Sequence, residues 1–411
     1  MEPLSRAFFE SLDAEDPLAN LRNEFDLGAT LYFNGNSLGP PPRATRARLH
    51  DVVESQWRAD LIRGWNVHDW FHLPDRVGDR IARLIGANPG EVVAGDSTSV
   101  SLFKLMAAAL HGRDRVQIIT DEANFPTDLY VISGLEELLG KQTEVQRLPA
   151  ERIAGAISGH TALVTLTHID YKTSRMHDMA KMTAAARAKG ALMLWDLSHS
   201  VGAVPLALNE CHVDLAVGCT YKFLNGGPGA PSFSFVAQRH QARMEPLLRG
   251  WMGHASPFLL SPEYAPAPGA RRYVAGTPEV LALSAVEASL GLFDAAGMEA
   301  IRAKSLRMSS VLMELIESEC AEYGLDIATP REPEQRGSHV AVRHPEAYAI
   351  MQALIARNII GDFRAPDLMR FAITPLYQRF ADLWELAAAL RDIMESGAWD
   401  APEFRRKAMV T

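Results

Sequence analysis

Residues 192–231 read LMLWDLSHSVGAVPLALNECHVDLAVGCTYKFLNGGPGAP, and the layout of this stretch decides the fold. An apolar run, Leu192 to Trp195, ends in Asp196, with His199 three residues on. A second run, residues 214–218, delivers Tyr221 and Lys222 into a glycine-rich turn at 225–229. Short apolar runs bounded by turn residues have the pattern of fully buried strands. Strands are expected at 92–94, 116–120, 144–148, 163–167, 192–196, 215–219 and 233–236, alternating with helices at 100–110, 126–139 and 179–189. That alternation predicts an α/β fold whose mainly parallel, seven-stranded sheet carries helices on both faces. In such sheets ligands sit beyond the carboxyl ends of the strands, where Thr167, Asp196, Tyr221 and Lys222 all fall.

Working outward, 411 residues are too many for one small core. Helical periodicity from 278 to 295 and 298 to 323, then short strands near 337–342 and 369–373, predicts a smaller α+β domain at 279–411. The large domain is expected to span 61–278. Residues 1–60 are expected to join the small domain: an acidic helical start, a turn at 34–39 closed by Pro40 to Pro42, and helical periodicity over 43–60.

A net charge of −9 leaves no basic footprint for nucleic acid or an anionic membrane. No stretch approaches the roughly 18 uninterrupted apolar residues of a membrane span. The acidic start lacks the apolar core of a signal peptide, so a cytoplasmic location is expected. Cys211, Cys219 and Cys320 are odd in number and lack metal-ligand spacing, which suits reduced core thiols and no metal.

A carboxylate ending one buried strand and a lysine just past another are what pyridoxal phosphate chemistry needs. The cofactor's aldehyde condenses with a lysine amine, and a carboxylate keeps its ring nitrogen protonated so the ring accepts electrons. Lys222 is one of eight lysines. The others read as solvated, Lys104 as snorkelling from a half-buried helix. A lone strand-end lysine is ordinarily structural; Asp196 and the glycine turn together reverse that weighting. Taken singly, Asp196 also suits a helix N-cap, and His199 a structural histidine. Residues 95–99 supply hydroxyls and backbone N–H groups at a helix start, where phosphate binds. Phe125 can stack on a ring, although a lone aromatic more often packs in a core. Arg370 is suited to bidentate capture of an α-carboxylate.

Further short motifs are GNSLG (35–39), LIRGWN (61–66), NFPTDLY (124–130), WDLSHSVGAVP (195–205), GCTYKFLNGGPG (218–229), GWMGH (250–254), AGTP (275–278), RGSHV (336–340) and RFAITPLY (370–377). In this order, over nearly the whole chain, they resemble the kynureninases, pyridoxal phosphate hydrolases of the aspartate aminotransferase fold type (fold type I). The resemblance implies that Lys222 carries the cofactor, Asp196 meets its ring nitrogen and Phe125 stacks on it. It places Thr98, Ser99, Tyr221, Trp251 and Thr277 around the phosphate, the last two from a partner subunit of a homodimer with shared active sites. Asp128, Thr167 and His199 complete the shell; Arg370, with Ser37, Trp65 and Thr277, meets the substrate. The implied reaction cleaves the Cβ–Cγ bond of L-kynurenine by hydrolysis, giving anthranilate and L-alanine in tryptophan degradation. Lys222 removes the α-proton, and Tyr221 is the candidate for later proton transfers. Trp65 and Thr277 stand where animal relatives that favour 3-hydroxykynurenine carry His and Asn, so the unsubstituted ring is expected to be preferred. The alternatives are a cysteine desulfurase-like lyase or class V aminotransferase of the same fold, and a cofactor-binding protein without turnover. A desulfurase needs a mobile cysteine, whereas Cys320 lies in a helical pattern.

Overall fold

The computed structural model describes residues 5–139 and 143–407. Its central sheet has seven strands: β1 (Val92–Ala94), β2 (Gln117–Asp121), β3 (Glu144–Leu148), β4 (Thr161–Thr167), β5 (Leu192–Asp196), β6 (Leu215–Cys219) and β7 (Ser232–Val236). Their order is β1-β7-β6-β5-β4-β2-β3. The pairs from β3 across to β6 are parallel, while β7 runs antiparallel to both β6 and β1. All seven expected strands are present, within two residues of the expected bounds. Every residue of β4 to β7 is buried, as two helix-covered faces require. The edge strand β3 is the exception: Glu144 and Arg147 are exposed, and charge on an edge discourages further pairing.

Two helices bring side chains to the carboxyl end of this sheet, and a third packs on one of its faces. Helix α1 (Thr98–Leu110) is capped by Ser97, whose hydroxyl accepts from the Val100 N–H at 3.4 Å. Helix α2 (Pro126–Leu139) opens with proline, which needs no donor at that position. Helix α3 (Met179–Ala188) is capped by Asp178, accepting from Lys181 N–H at 2.9 Å. Between α3 and the sheet, Trp195 is wholly buried and its indole N–H donates to Thr183 at 3.1 Å, so the largest core side chain leaves no orphan donor.

The second sheet is antiparallel, ordered β10-β11-β9-β8, from β8 (Asp326–Ile327), β9 (His339–Arg343), β10 (Asp362–Arg364) and β11 (Leu368–Ala372). Helix α4 (Met298–Glu319) and the helices Ala347–Ala356 and Phe380–Ser396 share its core. Strands β9 and β11 lie where expected. Strands β8 and β10 carry no apolar run and give no strand signal in the sequence. The N-terminal helix Arg6–Ala14 packs on Phe380–Ser396, and Leu31–Tyr32 pairs with Ile359–Ile360. The helical stretch over 43–60 is interrupted by a π-helical turn, Val52–Trp57, and its first part, Arg43–Asp51, packs on Val280–Ser289. Among the described residues no single helix is long and apolar enough to cross a membrane.

The turn at 34–39 reaches the lysine-bearing loop. The Gly39 N–H donates to the Tyr221 carbonyl at 2.8 Å. A Cβ on Gly39 would sit 2.3 Å from the Lys222 carbonyl, so only glycine allows this approach.

Candidate active site

Asp196 is the last residue of β5 and Asp128 sits in the first turn of α2, so two carboxylates meet past the sheet's carboxyl edge. Both are buried, and neither forms an ion pair among the described residues. Asp196 accepts the Ser198 N–H at 2.8 Å, while burial lifts its carboxyl above the usual range. Burial, then the charge of Asp196, push Asp128 well above that range; only a 3.4 Å contact from the Thr167 hydroxyl and the nearby Lys222 oppose this.

Lys222 faces the same cavity and makes no hydrogen bond or ion pair among the described residues. Its Nζ lies 5.9 Å from the ring centroids of both Phe125 and Tyr221. The contrast with other lysines is informative. Lys104, expected to snorkel, is instead buried against Asp96 at 2.6 Å. Lys304, expected to be solvated, is buried against Asp16 at 2.7 Å. Periodicity reports neither pairing, because Asp96 lies before the helix that carries Lys104 and Asp16 is remote in sequence from Lys304, and a buried cation survives only where it is paired. Lys222 has been left without such a partner.

Thr98 and Ser99 open α1 on the cavity wall, with Phe125, Thr127, Asp128, Thr167, Tyr171, Asp196, Ser198, His199 and Tyr221 completing it. Of these, Thr127 and Ser198 lie in motifs read from the sequence but without an assigned role, and Tyr171 lies in none. His199 is buried and its Nδ1 has no partner; burial, then Lys222 and Arg370, hold the imidazole neutral. Burial raises the Tyr221 phenol, so it keeps its proton near neutral pH. An unpaired amine, buried carboxylates lacking a cation, an orphaned imidazole nitrogen and a helix start with hydroxyls together fit pyridoxal phosphate. The carboxylates suit its protonated ring nitrogen and the helix start its phosphate.

Five expected residues lie outside this cavity. Trp65 packs edge-on to Trp70 at 5.8 Å and lines an apolar groove with Trp57, Leu61 and Ile62. Trp251 and Thr277 are exposed. Arg370 and Ser37 form a separate cluster beside it. Arg370 donates through Nε to Asp362 at 2.7 Å, and its Nη1 donates to the Tyr171 carbonyl. Its fork is therefore already engaged, by a carboxylate on the unrecognised strand β10. Arg364, also on β10, reaches the same Asp362 at 3.0 Å. Cys320 ends α4 and is fully buried, which gives a desulfurase no mobile nucleophile. All three cysteines are free.

Residues 301–390 match the family model described as the kynureninase C-terminal domain. The chain is 48% identical over 409 residues to a kynureninase of Burkholderia pseudomallei (strain 1106a), covering 98% of each chain. It is 47% identical to a kynureninase of Deinococcus radiodurans, covering 95% of this chain and 97% of that one. Among solved structures it resembles C-DES with glycine covalently linked to the PLP cofactor (TM-score 0.79, 16% identity, 90% of this chain and 99% of that one). It also resembles an apo cysteine desulfurase from Thermococcus onnurineus NA1 (TM-score 0.76, 17% identity, 94% and 98%). At these identities the two structures speak to the fold, which is that of fold type I pyridoxal phosphate enzymes.

Proposed function

The chain belongs to the kynureninase family, and from that premise we propose that it hydrolyses L-kynurenine to anthranilate and L-alanine with pyridoxal phosphate as cofactor. The observation that carries the proposal is the unpaired Lys222 amine facing two buried carboxylates that lack a cation. When bound, pyridoxal phosphate supplies an aldehyde for a lysine and a ring that accepts electrons from the substrate's α-carbon. Lys222 holds the cofactor and removes the α-proton. Asp196 stabilises positive charge at the ring nitrogen. His199 and Phe125 orient the ring, and Asp128 and Thr167 pack beside it. Thr98, Ser99 and the N–H groups of α1 hold the phosphate. Tyr221, a phenol that keeps its proton, donates or takes a proton at the substrate's β-carbon or γ-oxygen. Arg370 receives the α-carboxylate, with Ser37 beside it.

The exposed positions of Trp251 and Thr277, and the apolar groove beside Trp65, support a homodimer in which these residues complete the partner's site. Domains spanning 61–278 and 279–411, with 1–60 joining the smaller, a cytoplasmic location and a place in tryptophan degradation belong to the same proposal. An indole at 65 and a small hydroxyl at 277 offer a 3-hydroxyl group little to bond with. Preference for L-kynurenine follows, by about tenfold or more in kcat/KM over 3-hydroxykynurenine. The test is anthranilate fluorescence after adding each substrate to the cofactor-loaded enzyme. No anthranilate from L-kynurenine refutes the activity, and equal kcat/KM values refute the preference.

A further inference from the structure

The Arg370 cluster has a property that the cofactor site does not explain. Asp362 on β10 is directly opposite Arg370 on β11, so their side chains share a face, and Arg364 projects from the same face two residues along. Asp362 and Arg370 are each 1% exposed. Asp362 takes the Nε–Nη2 edge of Arg370, with Oδ1 at 2.7 Å and Oδ2 at 2.5 Å. Arg364 donates to Asp362 Oδ2 at 3.0 Å. Ser37 gives its proton to Asp362 at 2.6 Å and accepts from Arg364 and Arg370, each at 3.2 Å. Two guanidiniums thus share one carboxylate, and His339 and His199 alongside are held neutral, His339 at about 3. The cluster therefore holds one positive charge in surplus, on the buried Arg370 and on Arg364, whose side chain is 34% exposed, and an anion at the buried end of Arg370 balances it.

The remaining donors show where that anion goes. With its edge occupied, Arg370 has only the Nη1–Nη2 end left, now spent on two neutral acceptors, the Tyr171 carbonyl and the Ser37 hydroxyl. Tyr171 lines the cofactor cavity and packs edge-on to Phe125 at 5.1 Å, so this end of the fork borders the site. A carboxylate makes stronger, charge-assisted bonds than either neutral acceptor and displaces both. We infer that Asp362 is a positioning residue: it grips one edge of Arg370 so that the other end meets the substrate's α-carboxylate, while Arg364 leaves the cluster one positive charge to pair with it. The inference deepens the assignment of Arg370 in the proposed function and rests on it.

The test compares Asp362→Asn with Arg370→Gln as holoenzymes, using L-kynurenine and its decarboxylated analogue kynuramine, the latter as a competitive inhibitor and by calorimetric Kd. For Asp362→Asn, KM for L-kynurenine rises about tenfold or more and kcat changes by less than about threefold, while the Ki and Kd of kynuramine stay put. A KM that rises in Arg370→Gln but not in Asp362→Asn overturns the positioning role and leaves the Arg370 assignment standing. An unchanged KM in Arg370→Gln removes that assignment itself. Equal losses for kynurenine and kynuramine in Asp362→Asn reveal a merely structural residue. Should Asp362→Asn lose the cofactor absorbance band, Arg364→Gln takes its place, with a KM increase of about threefold confined to kynurenine. An unchanged KM in that variant overturns the inference.

Discussion

The cofactor cavity and the Arg370 cluster lie side by side and are both polar and buried, yet they resolve the cost of burial in opposite ways. In the cavity, among the described residues, Asp128 and Asp196 form no ion pair, Lys222 acts on them only from beyond contact distance, and His199 Nδ1 has no partner. In the cluster, Asp362 is bonded by two arginines and a serine, and its carboxyl is held below the usual range, against burial, by Arg370 and Arg364. An unsatisfied buried polar group costs about 1–3 kcal/mol, so a set of them persists only where binding repays it. The cavity is built around a resident that stays. The cluster must hold together between turnovers, so it carries its own counterions and exchanges only its weakest bonds for a substrate.

The largest effect that would break this comparison is expected at Lys222. Lys222→Ala should lower anthranilate release by about four orders of magnitude or more and abolish the absorbance band of the lysine-bound cofactor. If borohydride reduction and peptide mapping place the label on another lysine, the cavity has been misassigned. A paired lysine should behave in the opposite way. Lys304→Met leaves Asp16 buried and unpaired, and should cost about 3–5 kcal/mol in denaturant unfolding with kcat of the folded holoenzyme little changed.

Tyr221→Phe sharpens the role of the cavity wall. It should slow turnover about 10–100-fold with the cofactor band intact, and unchanged turnover would remove the phenol from proton transfer. The smallest signal is a pH signature in the cofactor-free protein. Asp128 is raised, so the folded state binds its proton more tightly than the unfolded one. Stability therefore falls as pH climbs from the unfolded value, near 3.9, through the raised one. Asp128→Asn should gain melting temperature over wild type as pH rises from about 4 to 7, and a constant difference would count against the buried, cation-free carboxylate. Asp362 has the contrary sign: its contribution is present above the unfolded value and is lost only as pH falls through its depressed one.

The sheet was legible because its strands are buried on both faces and therefore written as apolar runs, each broken by turn residues. The cavity residues were legible for a related reason: Asp196, Tyr221 and Lys222 stand where those runs end. Strand β10 was not legible. Asp362-Phe363-Arg364 has no apolar run, because the face it turns inward is polar and pairs with Arg370 on the neighbouring strand. Lys104 and Lys304 were misjudged for the same reason, since nothing local announces Asp96 or Asp16 as a partner.

By itself, then, the sequence determined the α/β architecture, the strand ends and the residues that meet at them, because hydrophobic periodicity and turn chemistry are local properties. Its motifs also determined the family. Only the tertiary structure decided which buried charges are paired and which are left waiting, and that Arg370 already has one edge of its fork in use. Pairing depends on which strand lies beside which, a long-range outcome of packing that no window of neighbouring residues contains.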